Sequence, residues 1–267
     1  MPTEKRQRQK EGRQKRLEAQ RKQSRRKRLV RRSVIVVIIA AIVGYTAYKL
    51  EAGSPAAPLT AQQKSNLAAV SAGCPSSPTA RVNTIEFKHA PRMSIHKSLP
   101  YFALVETDLG SFTIRLTPKL SPVTVNNFIF LAKHDYYQCN TFFRVIPGFV
   151  NQTGDPTGAG GGSPGYTIPD EFPKKAKNSL HQYRLGAVAM AEAQTHHSGG
   201  AQFFIVAGPN GEQLSNGFPL IGQVTSGISV VEAINADGKP TVANVQNTGE
   251  PPVVVHRILS ITISTRS

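Results

Sequence analysis

The chain has 267 residues, two cysteines, no tryptophan and a formal net charge of +16. That charge is not spread over a nucleic-acid-binding surface. Residues 1–32 carry 15 Lys/Arg against Glu4, Glu11 and Glu18, while the rest of the chain holds 17 Lys/Arg against 13 acids. The body is therefore near neutral, and its glycine, proline, phenylalanine and β-branched content favours a β-dominated domain.

The apolar residues of the basic tail, such as Leu17, Leu29 and Val30, make no stripe, so by itself it is expected to be disordered or loosely helical. Aromatic interleaving is absent from it, and no nucleic acid is expected as a partner. Residues 33–48, "SVIVVIIAAIVGYTAY", carry no charge. As a helix they would span about 24 Å, short of the ~30 Å hydrocarbon core, but Arg32 and Lys49 can snorkel and Tyr45 and Tyr48 suit an interface. A single transmembrane helix is expected over 33–50. A buried core helix fits poorly because every face is apolar and eight Lys/Arg precede it, and a cleaved signal peptide fits poorly because the basic leader is long and no clean A-x-A site closely follows the span. Eight Lys/Arg at 21–32 predict a cytoplasmic N-terminus, anionic lipid near the tail and an extracytoplasmic body, as in a plasma (inner) membrane protein. Residues 51–82 read as an Ala/Ser/Pro-rich linker, and 83–267 as a folded domain.

Within that domain the patterns predict strands at 101–107 and 111–116 around "DLG", a hairpin. A helix follows from 121, with Ser121 as cap, Pro122 at its first position, and Val125, Phe128, Ile129 and Ala132 on one face. Further strands are expected at 141–146, 148–152, 184–191, 201–208 and 219–224, a second short helix at 226–236, and a closing strand at 253–264. Eight strands and two helices predict a mainly β fold, a closed eight-stranded antiparallel β-barrel capped by two α-helices and preceded by the basic tail and transmembrane helix.

The run "TFFRVIPGFVNQTGDP" sets Arg144, a group costly to desolvate, in a strand of apolar neighbours. Together with "TGAGGGSPGYTIPDEF", "GAVAMAEA", "AQFFIVA" and "LIGQV", in this order and at these spacings, it resembles the cyclophilin-type peptidyl-prolyl cis-trans isomerases from about residue 100 to the C-terminus. The resemblance implies a barrel capped by two helices and an activity that needs no cofactor and no metal. It assigns Arg144 as donor to the prolyl nitrogen and Gln152 as its catalytic neighbour on the substrate carbonyl. Phe149, Val150, Phe204 and Leu214 would wall the proline pocket, Gln202 would contact the peptide backbone, and Ala191, Glu192 and Ala193 would pair with residues before proline. Proline-containing polypeptides, exported or in the envelope, would be the substrates. A non-catalytic module that holds such segments is the rival reading.

Several positions depart from the family pattern. Val150 stands where methionine is common, Glu192 replaces asparagine, and the 190–202 interval is one residue longer. Phe218 replaces a hydrogen-bonding side chain, and Gln213 falls where some members carry a tryptophan tied to cyclosporin, so weak cyclosporin binding is expected. Phe203 and Phe204 must face opposite ways on a strand, one to the core and one to the pocket, and the resemblance selects Phe204 for the pocket. "GGGSPG" fits a phosphate-loop pattern formally but leads into "YTIPDEF" and not a helix. His196-His197 lack a Cys or acid at ligand spacing. Cys74 and Cys139, in an oxidising compartment, are either a disulfide or two separate thiols.

Overall fold

A computed structural model describes Lys27 and residues 33–45, 57–172, 183–192, 199–215, 217–239 and 251–266. The chain divides into two units, Met1–Pro58 and Leu59–Ser267. In the first, residues 33–45 are helical and their apolar side chains, Val34 through Val43, are exposed. That helix is about 20 Å long. Among the described residues no helix is long and apolar enough to cross a membrane, so the spanning helix expected over 33–50 is seen only as this shorter one. Residues 46–50, and the tail apart from Lys27, lie outside the described residues.

The second unit is built on eight strands: β1 (Phe102–Thr107), β2 (Gly110–Leu116), β3 (Arg144–Ile146), β4 (Val150–Thr153), β5 (Ala187–Met190), β6 (Phe203–Val206), β7 (Leu220–Ser226) and β8 (Ile258–Ser264). They form one sheet in the order β3-β4-β6-β5-β7-β2-β1-β8, every pair antiparallel. The alternation in β1 is the expected one, with Ala103, Val105 and Thr107 turned inward. Helix α2 (Pro122–Lys133) and helix α3 (Ile228–Ala236) pack on the sheet. The inner cluster joins Val105, Phe112, Ile114, Phe128, Phe203 and Ile258, all at most 1% exposed.

Four expectations need correction. The sheet is a half-barrel and not a continuous ladder, because β3 and β8 are its two edges. The residues just before those strands meet through one bridge, Thr141–Arg257, and through backbone bonds such as Phe142 N–H to the His256 carbonyl. The closing strand begins at Ile258, not 253. Buried His256 sits between the Asp108 (2.7 Å) and Asp237 (2.9 Å) carboxylates, which accept from its ring nitrogens when it is protonated, and the Arg257 backbone N–H donates to Asp108 (2.6 Å). These bonds hold the segment out of strand geometry.

The third correction lies in the expected linker. Helix α1 (Ala61–Ser71) opens with a capping box, in which Thr60 Oγ1 accepts from Gln63 N–H and Gln63 Oε1 accepts from Thr60 N–H. Ser65 Oγ donates to the Val255 carbonyl (2.9 Å), and Ala69 packs with Cys74 and Cys139, which form a disulfide with Cα atoms 5.4 Å apart. The capping box and the bridge turn an Ala-rich segment into a docked helix. The fourth is Ser121, which stands at the α2 N-cap without a capping bond. The Glu171 carboxylate takes the free N–H groups of Val123 (3.0 Å) and Thr124 (2.8 Å) instead.

Candidate active site

Arg144 is the first residue of β3, and the short turn through Pro147 and Gly148 returns the chain as β4, so the register sets Arg144 opposite Gln152. Gly148 has φ +71°, a conformation glycine adopts without a Cβ penalty. Arg144 Nη1 donates to Gln152 Oε1 (3.1 Å), Gln152 Nε2 donates to Gln202 Oε1 (3.0 Å), and Gln202 Nε2 donates to the Gly160 carbonyl (2.8 Å). Each amide uses both ends, so its orientation is fixed by the relay. The guanidinium carbon lies 5.9 Å from the centre of the Phe149 ring. Arg144 Nε is buried without a protein hydrogen-bond partner, and burial lowers the pKa of the guanidinium from its ordinary value.

The far end of the relay is a turn organised by buried Asp155. Its carboxylate accepts from Thr157 N–H (2.8 Å), Thr157 Oγ1, Ala159 N–H (3.2 Å) and Gly160 N–H. A Cβ on Gly162 would lie 1.9 Å from Asp155 Oδ1. The glycine run thus lets the turn close on its carboxylate, which occupies the N–H groups of Ala159 and Gly160.

Beside the guanidinium is a cavity of about 190 Å³ lined by Arg144, Phe149, Val150, Gln152, Ala191, Glu192, Phe204, Leu214 and Phe218. The structure therefore brings together every predicted site residue except two. Gln202 reaches the site through Gln152, and Ala193 lies outside the described residues, as do His196 and His197. Phe204 belongs to the pocket-side cluster with Val150 and Val206, while Phe203 belongs to the inner core. The Phe204 and Phe218 rings meet edge to face at 5.1 Å.

Sequence reasoning passed over Tyr183. It is fully buried, and its hydroxyl donates to the Phe218 carbonyl (2.8 Å) and accepts from Phe218 N–H (3.0 Å). Burial pushes this phenol up to about 12. Its partner lies 35 residues away, so no local pattern marks it. Glu212, also missed, accepts from Leu185 N–H (2.9 Å) and ties the Leu214 turn to the start of β5.

A fixed guanidinium stands at the rim of an apolar slot on the face of an antiparallel half-barrel, a shape and chemistry suited to an apolar ring next to a polar backbone. Residues 102–263 match the model of the cyclophilin type peptidyl-prolyl cis-trans isomerases, and the chain belongs to that family of enzymes. It is 43% identical over 128 residues to peptidyl-prolyl cis-trans isomerase B of Bacillus subtilis, spanning 48% of this chain and 84% of that one. To peptidyl-prolyl cis-trans isomerase-like 1 of Emericella nidulans it is 37% identical over 128 residues, spanning 48% and 76%. Among solved structures, a Cryptosporidium parvum cyclophilin type isomerase determined in the presence of the dipeptide Ala-Pro superposes with a TM-score of 0.52 at 25% identity, covering 62% of this chain and 99% of that one.

Proposed function

We propose that the enzyme speeds X-Pro rotation by binding the twisted amide at Arg144, without covalent chemistry. The barrier of ~18–20 kcal/mol arises because nitrogen shares its lone pair with the carbonyl, so a donor aimed at that nitrogen favours the state in which sharing is lost. In this reading the proline ring enters the slot of Phe149, Val150, Phe204, Leu214 and Phe218. Arg144 donates to the prolyl nitrogen as the amide turns, and Gln152 steadies the guanidinium and meets the substrate carbonyl. Gln202 orients Gln152, and the backbone of 191–193 pairs with the peptide. The observation that carries this is the relay from Arg144 to the Gly160 carbonyl, which holds a partly desolvated cation over an apolar slot. Cis-trans exchange of an Ala-Pro peptide, followed by NMR with the full chain and with Arg144→Ala, tests it. Peptide binding with no exchange above background would make the protein a holder of proline segments instead.

We further propose that the basic tail and the apolar segment from 33 anchor the enzyme in a plasma membrane with the isomerase unit outside the cytoplasm, where its substrates are exported or envelope proteins. The charge asymmetry across 1–50 supports this, as does a disulfide suited to an oxidising compartment. Protease added to intact cells should remove the isomerase unit and spare the N-terminal tail; protection of the whole chain would reject the topology. Gln213, at the end of the turn Gly211–Gln213, makes cyclosporin a weak ligand in this reading, and nanomolar inhibition would contradict it.

A further inference from the structure

A second cavity, of about 350 Å³, adjoins the first and shares Gln152, Ala191 and Glu192 with it. Its wall is firmly built. Buried Asn127 on α2 donates to the Gly200 carbonyl (2.6 Å) and accepts from the Tyr166 hydroxyl (2.6 Å), and the Tyr137 hydroxyl donates to the Ala201 carbonyl (3.2 Å). Among the described residues lining it, Glu192 is the one carboxylate, and none is a lysine, arginine or histidine. Glu192 also stands at the rim of the proline pocket, where Arg144 is the one cation among the described lining residues, and Arg144 Nη1 is held by Gln152.

Glu192 is half-buried as a residue, its Oε1 is a buried atom without a hydrogen-bond partner, and its side chain bonds to that of Asp170. Burial, then the Asp170 carboxyl, push Glu192 up to about 7. Two acidic groups held together and partly removed from water gain from a cation placed beside them, because opposite charge favours the ionised form. Resting on the isomerase reading above, we propose that Glu192 makes this site prefer substrates carrying a lysine or arginine near the proline, with the long side chain lying in the larger cavity. The cavity admits the aliphatic stem and the shared wall places the carboxylate where the head group arrives.

The test uses the full chain and short peptides centred on Ala-Pro. Lysine, norleucine or glutamate is placed at each of the three positions on either side of that dipeptide in turn. For each peptide kcat/KM of cis-trans exchange and Kd by NMR titration are measured. At one position lysine should exceed norleucine about three- to tenfold, glutamate should fall below norleucine, and the ratio should shrink as salt rises. Glu192→Gln should bring the lysine-to-norleucine ratio close to one. Because each ratio is taken within one protein, a general loss of activity in the variant does not enter it. A ratio near one at every position in the unmodified chain overturns the proposal, as does a ratio that Glu192→Gln leaves unchanged. A lysine preference in Kd without any catalysed exchange would uphold the proposal and reject the isomerase mechanism. Should Glu192→Gln not fold, Glu192→Asp, which keeps the charge, should retain the preference, and the peptide series on the unmodified chain decides alone.

Discussion

Arg144 and Gln152 face each other across the β3–β4 ladder, and the guanidinium donates to the amide oxygen over 3.1 Å. The pairing leaves the cation partly desolvated yet fixed, and among the described residues no carboxylate pairs with it, so its charge is available to a group entering the slot. Arg144→Ala should lower kcat/KM by about 10²–10³, as does removal of a donor that acts mainly in the transition state. Arg144→Lys should recover little of this, since an ammonium cannot hold Gln152 and reach a second acceptor in one plane. Exchange rates with circular dichroism as a folding control measure both variants.

Tyr183 acts on the pocket through Phe218. Removing its hydroxyl leaves the Phe218 N–H and carbonyl without their partner, a loss of about 1–3 kcal/mol when such groups are buried. Tyr183→Phe should therefore raise KM for an Ala-Pro peptide about three- to tenfold and change kcat less, because Arg144 is untouched. An equal fall in kcat would place Tyr183 in the transition state and not in pocket shape.

The Cys74–Cys139 bridge closes a loop with a sequence separation of 65 and pins the end of α1 to the strand-bearing unit. Chain-entropy reasoning gives about 4 kcal/mol of stabilisation for a loop of this length. Reduction, or Cys74→Ser with Cys139→Ser, should lower the unfolding free energy by that order while the exchange rate at 25 °C stays close to the parent value. Urea unfolding with and without reductant measures it.

His256 lies buried between Asp108 and Asp237. Burial by itself would lower its pKa, but the hydrogen bonds and charges of the two carboxylates outweigh that and raise it above 6.5. A group whose folded pKa is raised stabilises the fold fully below its unfolded pKa and loses that contribution as pH climbs through the folded value. Asp108 shifts the other way: burial opposes ionisation, but bonds from His256, the Arg257 backbone and Ser65 hold its pKa below 3.8, so its contribution is lost in acid. Stability should fall on the alkaline side of 6.5 and again in acid. His256→Gln should flatten the alkaline decline, as thermal unfolding across pH would show.

Local pattern was enough for much of the fold. Period-two alternation marks β1 and β2, and the apolar face of Val125, Phe128, Ile129 and Ala132 marks α2, because each signal lies within one element. The Arg144 to Gln152 spacing was legible for the same reason, being one tight hairpin. Helix α1 was missed because the side it buries, Ser65 and Ala69, is small and carries no apolar stripe, and its partners, Val255 and Cys139, are far along the chain. The strand expected over 253–257 failed because Asp108 and Asp237, neither of them near in sequence, hold His256.

By itself the sequence determined the eight strands and the two helices that pack on them, since backbone propensity and hairpin register act over a few residues, while Arg144, Gln152 and the apolar residues beside them were picked out by the resemblance to a family. The tertiary structure sets Phe204 at the pocket and Phe203 in the core, as the resemblance had selected, and only it decided that Gln202 and Gly160 complete the relay, that Tyr183 holds Phe218, and that Glu192 stands between two cavities beside Asp170. Those choices depend on which distant segments bury one another, and burial is a property of the assembled chain.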